Sequence, residues 1–420
     1  MTGLFDLDDP AIIADPYPHY ARLREQAPVH YSPAADLWIL SRHDDVAIAV
    51  RDAHRFSSDV MNSGLTANPF NPSIRVPRLL AALLAHGPVP RVLLTSDPPE
   101  HTMLRRKVSR AFTPRVIAAW EPRIREIADR IVDELAARGE GAPVDLVGDL
   151  ASPLPTVVIA EMMGIPAERH ADFKRWSDNL VDGLLTGASP VRLVSSALAI
   201  SWYFARIVRR RRRAPGDDLV SLLVTGEKEN ALTVAELVSF CVLLLVAGNE
   251  TTTNLIANAV LALFDHPDLW HRLRDEPELA GAVVEETLRF DSPGQGLLRV
   301  TTTDVTFGAV TIPAGARVLP LIGSANRDPA HHDDPDVFRI DRERSDHLGF
   351  GTGIHFCLGS ALARLESRAA LEALFRRMPG VRPAGAPGRI ASPVLRGLRT
   401  LPVTIQSASH AGGSGMGHFA

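Results

Sequence analysis

Phe350-Gly351-Thr352-Gly353-Ile354-His355-Phe356-Cys357-Leu358-Gly359 places one of the two cysteines of this chain between glycines, at the mouth of an amphipathic helix. Leu358, Leu362, Leu365 and Ala369 recur at spacings of 4, 3 and 4 with charges between them, and Pro379-Gly380 ends the pattern. The stretch predicts Cys357 at a positive helix N-terminus, where free backbone N–H groups and the helix dipole favour thiolate over thiol. Gly351 and Gly353 let a loop wrap the sulfur, and Gly359 removes a side chain where something flat must lie close. A thiolate held in this way is a good axial ligand for haem iron. An isolated Gly-x-Gly-x-x-x-Cys turn, however, reads as a buried structural cysteine, so the rest of the chain decides.

Upstream, Thr233-Val234-Ala235-Glu236 forms a capping box, and helical sequence runs on without proline to about Asp265. At 1.5 Å per residue such a helix is about 48 Å long, enough to cross the molecule. Leu244, Ala247, Gly248, Thr251 and Leu255 share one face of it. Ala247 and Gly248 clear space there, although a glycine in a helix interior costs about 1 kcal/mol against alanine. The Thr251 hydroxyl is placed to donate to the Ala247 carbonyl four residues back, which bends a helix and opens a groove. Beside it stands Glu250, an acid that burial without a partner would penalise.

Two further constellations lie on helical sequence. Leu279, Val283, Glu286 and Phe290 fall at spacings of 4, 3 and 4, so Glu286 sits on an apolar face with Arg289 in reach at i+3. Asp97-Pro98-Pro99 opens a helix with a cap and a first-turn proline, after which His101 and Arg105 share a face. Read alone, the first is an ordinary Glu-x-x-Arg surface pair and the second a basic surface face.

Together, in this order, these motifs resemble the cytochrome P450 family, over roughly residues 10 to 405. The ten-residue stretch is similar to its haem-binding signature, with Phe350, Gly351, His355, Cys357 and Gly359 as matching positions and Cys357 as the iron ligand. Ala247-Gly248-Asn249-Glu250-Thr251-Thr252 resembles the oxygen-activation motif, which implies Glu250 and Thr251 as proton-relay residues. The Glu286/Arg289 pair matches the family's structural ion pair, and His101, Arg105, Arg299 and His355 match positions that hold the haem propionates. One common feature is missing: Pro335-Asp336-Val337-Phe338 carries Val337 where many relatives have an arginine. The third partner of the ion pair is left open among Arg339, Arg342 and a histidine.

The resemblance implies a mainly α fold with a smaller β-rich lobe, and haem b between the long central helix and the cysteine loop. One domain is expected over residues 1–406, with β-rich parts near 28–60 and 297–322 and a disordered Gly/Ser/His-rich tail at 407–420. The implied activity is O2-dependent monooxygenation of a hydrophobic small molecule: a terpenoid, steroid, fatty acid or polyketide. No flavin, nicotinamide or iron–sulfur motif accompanies it, so two electrons must come from outside, and ferredoxin with ferredoxin reductase are the expected partners. Arg364 and Arg368 are positioned to meet an acidic donor. Expected substrate walls are a lid between Met61 and Val92, the stretch Leu180 to Leu184, and Leu243, Leu244, Ala247, Leu297, Leu298, Val394 and Leu395.

Composition narrows the alternatives. The chain has 420 residues, 45% of them hydrophobic, and a net charge of -4. The acidic balance argues against nucleic acid, and Arg209 to Arg213 reads as a solvated run. Two distant cysteines make no disulfide framework, as expected in the cytoplasm. The apolar run Phe240 to Gly248 is far shorter than the ~20 residues needed to span a bilayer, so no membrane association is expected. Competing readings are an H2O2-driven peroxygenase, which would not need Glu250 and Thr251, a haem-thiolate sensor, for which no output domain is visible, and a zinc site at His355-x-Cys357, which lacks clustered ligands.

Overall fold

The computed structural model describes residues 4–60, 67–68, 71–75, 92–186, 189–225, 232–343, 346–378 and 380–406. The expected tail at 407–420 and most of the Met61–Val92 lid lie outside them. The helical body is organised around the helix Val234–Phe264, whose start is a complete capping box: Thr233 Oγ1 accepts from Glu236 N at 3.1 Å and the Glu236 carboxylate accepts from Thr233 N at 2.6 Å. This helix contacts Pro153–Met162, Pro190–Arg213, Ala280–Phe290 and Ser360–Arg377. Its C-terminal half, Leu255 to Phe264, is almost entirely buried in the main core. Ser360–Arg377 in turn packs along Pro114–Ala136, where arginines meet carboxylates at Arg368–Glu121, Arg376–Asp129 and Arg377–Asp133.

The β-rich lobe joins the two ends of the chain. One sheet takes Val29–Ser32, Leu37–Leu40, Arg317–Pro320, Arg299–Thr301 and Phe56–Ser57 in that spatial order. Leu37–Leu40 and Arg317–Pro320 run parallel, with Ile39 opposite Leu319, and the other pairings are antiparallel. The β-rich part expected near 297–322 consists of four short strands, Arg299–Thr301, Val305–Phe307, Val310–Ile312 and Arg317–Pro320. Val305–Phe307 and Val310–Ile312 form their own hairpin, because Pro313 has no N–H to donate and Gly315, at φ 77°, turns the chain. By length and composition, Val191–Arg213 and Val234–Phe264 are both long and apolar enough to cross a membrane, a property the short run Phe240 to Gly248 did not reveal.

The Glu286/Arg289 pair is a buried charged knot. Arg289 is fully buried and Glu286 is 2% exposed. Arg289 Nε and Nη2 donate to the two carboxylate oxygens at 2.9 and 2.7 Å, and Nη1 donates to the carbonyls of Asn326 and Pro335. Of the three candidates for a third partner, Arg342 fills the place, with Nε 3.0 Å from Glu286 Oε1, while Arg339 contributes only its backbone N–H at 2.9 Å. Val337 takes part through its carbonyl, which accepts from both Arg289 and Arg342. The missing arginine side chain is therefore replaced from five residues further along.

Candidate active site

Cys357 lies three residues ahead of the helix Ser360–Arg377, on a loop shaped by Gly351 at φ 67° and Gly353 at φ 69°. A side chain at Gly353 would come within 3.0 Å of the Arg51 carbonyl, which presses the loop against the end of the helix His43–Arg51. Cys357 N donates to the Phe350 carbonyl at 2.9 Å. The sequence expectation of a thiolate meets an opposing effect here. Burial pushes the thiol above its ordinary value, while the Gly359 N–H, Arg105 and Arg364 pull it down without prevailing. The polypeptide alone thus favours the thiol, and coordination to iron would favour the thiolate. Gly359 and Gly248 both face open space, with nothing within 4 Å of where a Cβ would stand, and Ala247 and Gly248 are exposed in the middle of the long helix.

Beside the cysteine the protein gathers positive groups and gives them almost nothing to bind. His101 is 1% exposed and neither ring nitrogen has a partner. Its ring lies 4.3 Å from that of His355, whose Nε2 is 2.9 Å from Ser58 Oγ. Arg299 is 3% exposed; Nη1 donates to the Leu298 carbonyl at 3.1 Å and Nη2 has no partner. Burial, then Arg299, His101 and Arg105, hold His355 down to about 3, and burial lowers Arg299 to about 10. Burial, then Arg105, also lowers His101, while Arg105 is lowered by burial and raised by Cys357. Buried donors left in this condition are costly unless an anion meets them. The set fits the two carboxylates of haem, with the open space between Gly248 and Gly359 for its plane. Asp97, expected as a helix cap, instead accepts from Ser58 N at 2.9 Å and from the Ser57 hydroxyl. The helix Glu100–Ser109 has no side-chain cap.

On the long helix, Thr251 Oγ1 donates to the Ala247 carbonyl at 2.7 Å and Thr252 Oγ1 to that of Gly248 at 3.0 Å. Two successive hydroxyls bonded back in this way loosen the helix where space is needed. Asn249, which the sequence reading passed over, ties this turn to the body by accepting from Thr156 Oγ1 at 3.0 Å. Burial, then Asp178 and Asp182, push Glu250 up to about 7, against Lys174 and Arg399. These two aspartates sit about 70 residues upstream on the helix His170–Thr186, beyond any local sequence signal.

Glu250 therefore keeps its proton in the folded protein over a pH range in which the unfolded chain, titrating near 4.5, has lost it. Stability linked to this group is complete below about pH 4.5 and lost as pH rises through 7, by about 3 kcal/mol in all. Glu250→Gln should remove that slope. Urea unfolding of wild type and variant at pH 5 and pH 8 checks it: the wild type loses more stability between the two, and parallel losses would place the acid in water.

The expected substrate walls divide. Leu243, Leu244 and Leu297 are half-buried and Ala247 is exposed to the cleft. Leu298 and Val394, at 3% and 4% exposure, are buried in the apolar cluster of Phe5, Leu7 and Tyr20. Leu395 packs with Val181 and Ile390 and lines a separate cavity of about 20 Å³ near the N-terminal segment. Leu180 is core, and the Leu184 side chain lies outside the described residues. Arg364 and Arg368, expected to meet a donor, are already committed: Arg364 binds both Glu285 oxygens at 2.6 and 2.9 Å and Arg368 binds Glu121 at 2.7 Å.

Known proteins share both sequence and architecture with this chain. The cytochrome P450 family model matches residues 203–379. Vitamin D(3) 25-hydroxylase of Pseudonocardia autotrophica is 40% identical over 413 residues, covering 96% of this chain and 97% of its own. Cytochrome P450 CYP109Q5 from Chondromyces apiculatus superposes with a TM-score of 0.85 at 39% identity, covering 96% and 99% of the two chains. CYP109E1 from Bacillus megaterium, solved in complex with corticosterone, gives 0.81 at 35% identity, covering 94% and 99%. Identity of this order, sustained over nearly the full length of each relative, places the chain in the cytochrome P450 family, as a haem b monooxygenase that acts on small molecules with electrons from a separate redox partner.

Proposed function

We propose that this enzyme oxygenates a hydrophobic substrate of the steroid class, by hydroxylation or epoxidation, in the cleft between Ala247 and Leu297. The observation that carries this reading is kinship to a vitamin D(3) hydroxylase and to an enzyme that binds corticosterone, joined to a cleft edge in which Leu243, Leu244, Ala247 and Leu297 are all aliphatic. Titrating the ferric enzyme with steroids, vitamin D3, fatty acids and macrolides tests it. Steroids should move the iron towards high spin at the lowest concentrations, and a response confined to macrolides or fatty acids overturns the class.

In this reading Cys357 would ligate the haem iron, and His101, Arg105, Arg299 and His355 would hold the haem carboxylates. Phe350, Gly351, Gly359, Ala247 and Gly248 form the walls of the haem slot. Haem, when bound, supplies activation of O2 and insertion of one oxygen atom into the substrate. The protein supplies protons. Glu250, with its proton affinity near neutrality, exchanges protons on the side facing Asp178 and Asp182, and Thr251 Oγ1, fixed by the Ala247 carbonyl, presents lone pairs to receive and pass them. Retention of both groups supports an O2-driven enzyme over a peroxygenase. Thr251→Ala should lower product formation on the order of 100-fold, with reducing equivalents diverted to hydrogen peroxide and haem content unchanged. Undiminished coupling would move the relay elsewhere.

The electron donor in this reading is a ferredoxin served by its reductase, in the cytoplasm. Support comes from the face nearest the cysteine, where Ile354 and Phe356 are exposed at 36% and 41% and Arg51 is exposed next to Gly353. An acidic partner with an apolar contact fits that surface better than it fits the committed Arg364 and Arg368.

A further inference from the structure

The helix His43–Arg51 begins with a histidine that meets two more from a distant loop. Asp328 organises the meeting: its carboxylate accepts from His43 N at 2.8 Å and from Ala330 N at 3.0 Å, while its carbonyl accepts from His331 N and His332 N at 3.0 and 2.9 Å. One ligand nitrogen from each of His43, His331 and His332 lies within 4.8 Å of the others. The His43 and His331 rings are stacked, and His332 stands edge-on to both. His43 and His332 are 8% and 6% exposed, and Nε2 of each is buried with no hydrogen-bond partner. His331 is exposed.

Two buried imidazoles whose Nε2 atoms have no partner, with a third imidazole at the solvent edge and one ligand nitrogen of each within 4.8 Å of the others, are a ligand set in want of a ligand. Asp44 Oδ1 stands 3.4 Å from His43 Nδ1, the arrangement in which a carboxylate takes the Nδ1 proton and leaves Nε2 free to coordinate. Arg289 and Arg342 are the adverse charges, and Glu286 binds both of them. Ligand nitrogens about 2.0 Å from a tetrahedral ion are about 3.3 Å apart, a contraction that rotation of the exposed His331 can supply. Three nitrogens with one position left to water suit zinc, nickel or copper and not magnesium or calcium.

We propose that His43, His331 and His332 form a binding site for a divalent first-row transition metal, zinc in class, distinct from the haem iron. An ion there staples the helix His43–Arg51 of the β-rich lobe to the loop that follows the sheet. The same helix abuts the cysteine loop at its other end, through Arg51 and Gly353.

The test uses the haem-loaded enzyme. Calorimetric titration with zinc should give one equivalent bound, and zinc should raise the thermal midpoint. His331→Ala, at an exposed position that leaves the fold intact, should weaken binding roughly tenfold or more and abolish the thermal shift. Copper added in place of zinc should give an electron paramagnetic resonance spectrum with nitrogen coupling that is diminished in His331→Ala. Absence of binding, or binding unchanged in His331→Ala, overturns the site. Loss of the thiolate-type carbon monoxide spectrum on adding zinc would place the metal at Cys357 and overturns it equally.

Discussion

Cys357→Ser should abolish the red-shifted carbon monoxide band of the reduced enzyme and, with it, all turnover. A serine oxygen in the same loop keeps the hydrogen bond from its own N–H to the Phe350 carbonyl but offers a hard, protonated ligand in place of a soft sulfur. The internal control is Cys241, the other cysteine of the chain. It is fully buried on the long helix, and burial, then Asp218, push its thiol up to about 12. It has neither the access nor the acidity to ligate, so Cys241→Ala should keep the band. A band that survives Cys357→Ser, or vanishes in Cys241→Ala, would overturn the ligand assignment.

Glu286→Ala has the next largest effect. The carboxylate receives Nε and Nη2 of Arg289, Nε of Arg342 and the N–H of Arg339, from three points of the chain. Removing it leaves two guanidinium groups buried without a counter-charge, a loss of about 3 to 5 kcal/mol where one partner of a buried pair is taken away. That is a large share of the 5 to 15 kcal/mol that holds a typical domain. Haem-loaded protein should fall to a small fraction of the wild-type yield, measured by the ratio of haem absorbance to protein. Arg342→Ala should cost less, because Arg289 remains paired. Full haem loading in Glu286→Ala would show that the buried pair is not needed to hold the haem-binding core together.

Local periodicity made the elements legible and left their meetings obscure. Thr233, Glu236 and the proline-free run behind them announce the long helix, and an i, i+4 spacing announces the Thr251 bond to Ala247. The family and its mainly helical fold were readable from four motifs in order. Contacts between distant segments were not. Arg342 was one of three candidates beside Glu286, because only the path of the loop decides which side chain arrives. Leu298 and Val394 read as pocket walls because aliphatic residues look the same in a core and in a cleft; their places in the cluster with Phe5 and Leu7 depend on where the N-terminal segment packs. Asp178 and Asp182 raise Glu250 from another helix. The state of Cys357 reflects a contest of magnitudes: dipole and N–H groups are visible in a motif, whereas desolvation, which wins, belongs to the assembled fold.

The unpartnered cluster of His101, Arg105, Arg299 and His355 has a consequence for the life of the protein before it is an enzyme. These groups come from the helix Glu100–Ser109, the strand Arg299–Thr301 and the cysteine loop; burial and the neighbouring arginines keep His101 and His355 neutral, and Arg299 and His101 are left with buried nitrogens that have no partner. In the proposed reading haem would be the latch between three segments as much as the reactive group. A newly made chain that finds none would keep a seam of buried, unsatisfied nitrogens that is costly to close. Supply of the cofactor thus becomes a point of quality control: chains made in excess of haem stay loose along that seam and fall first to the proteases that clear unfinished proteins.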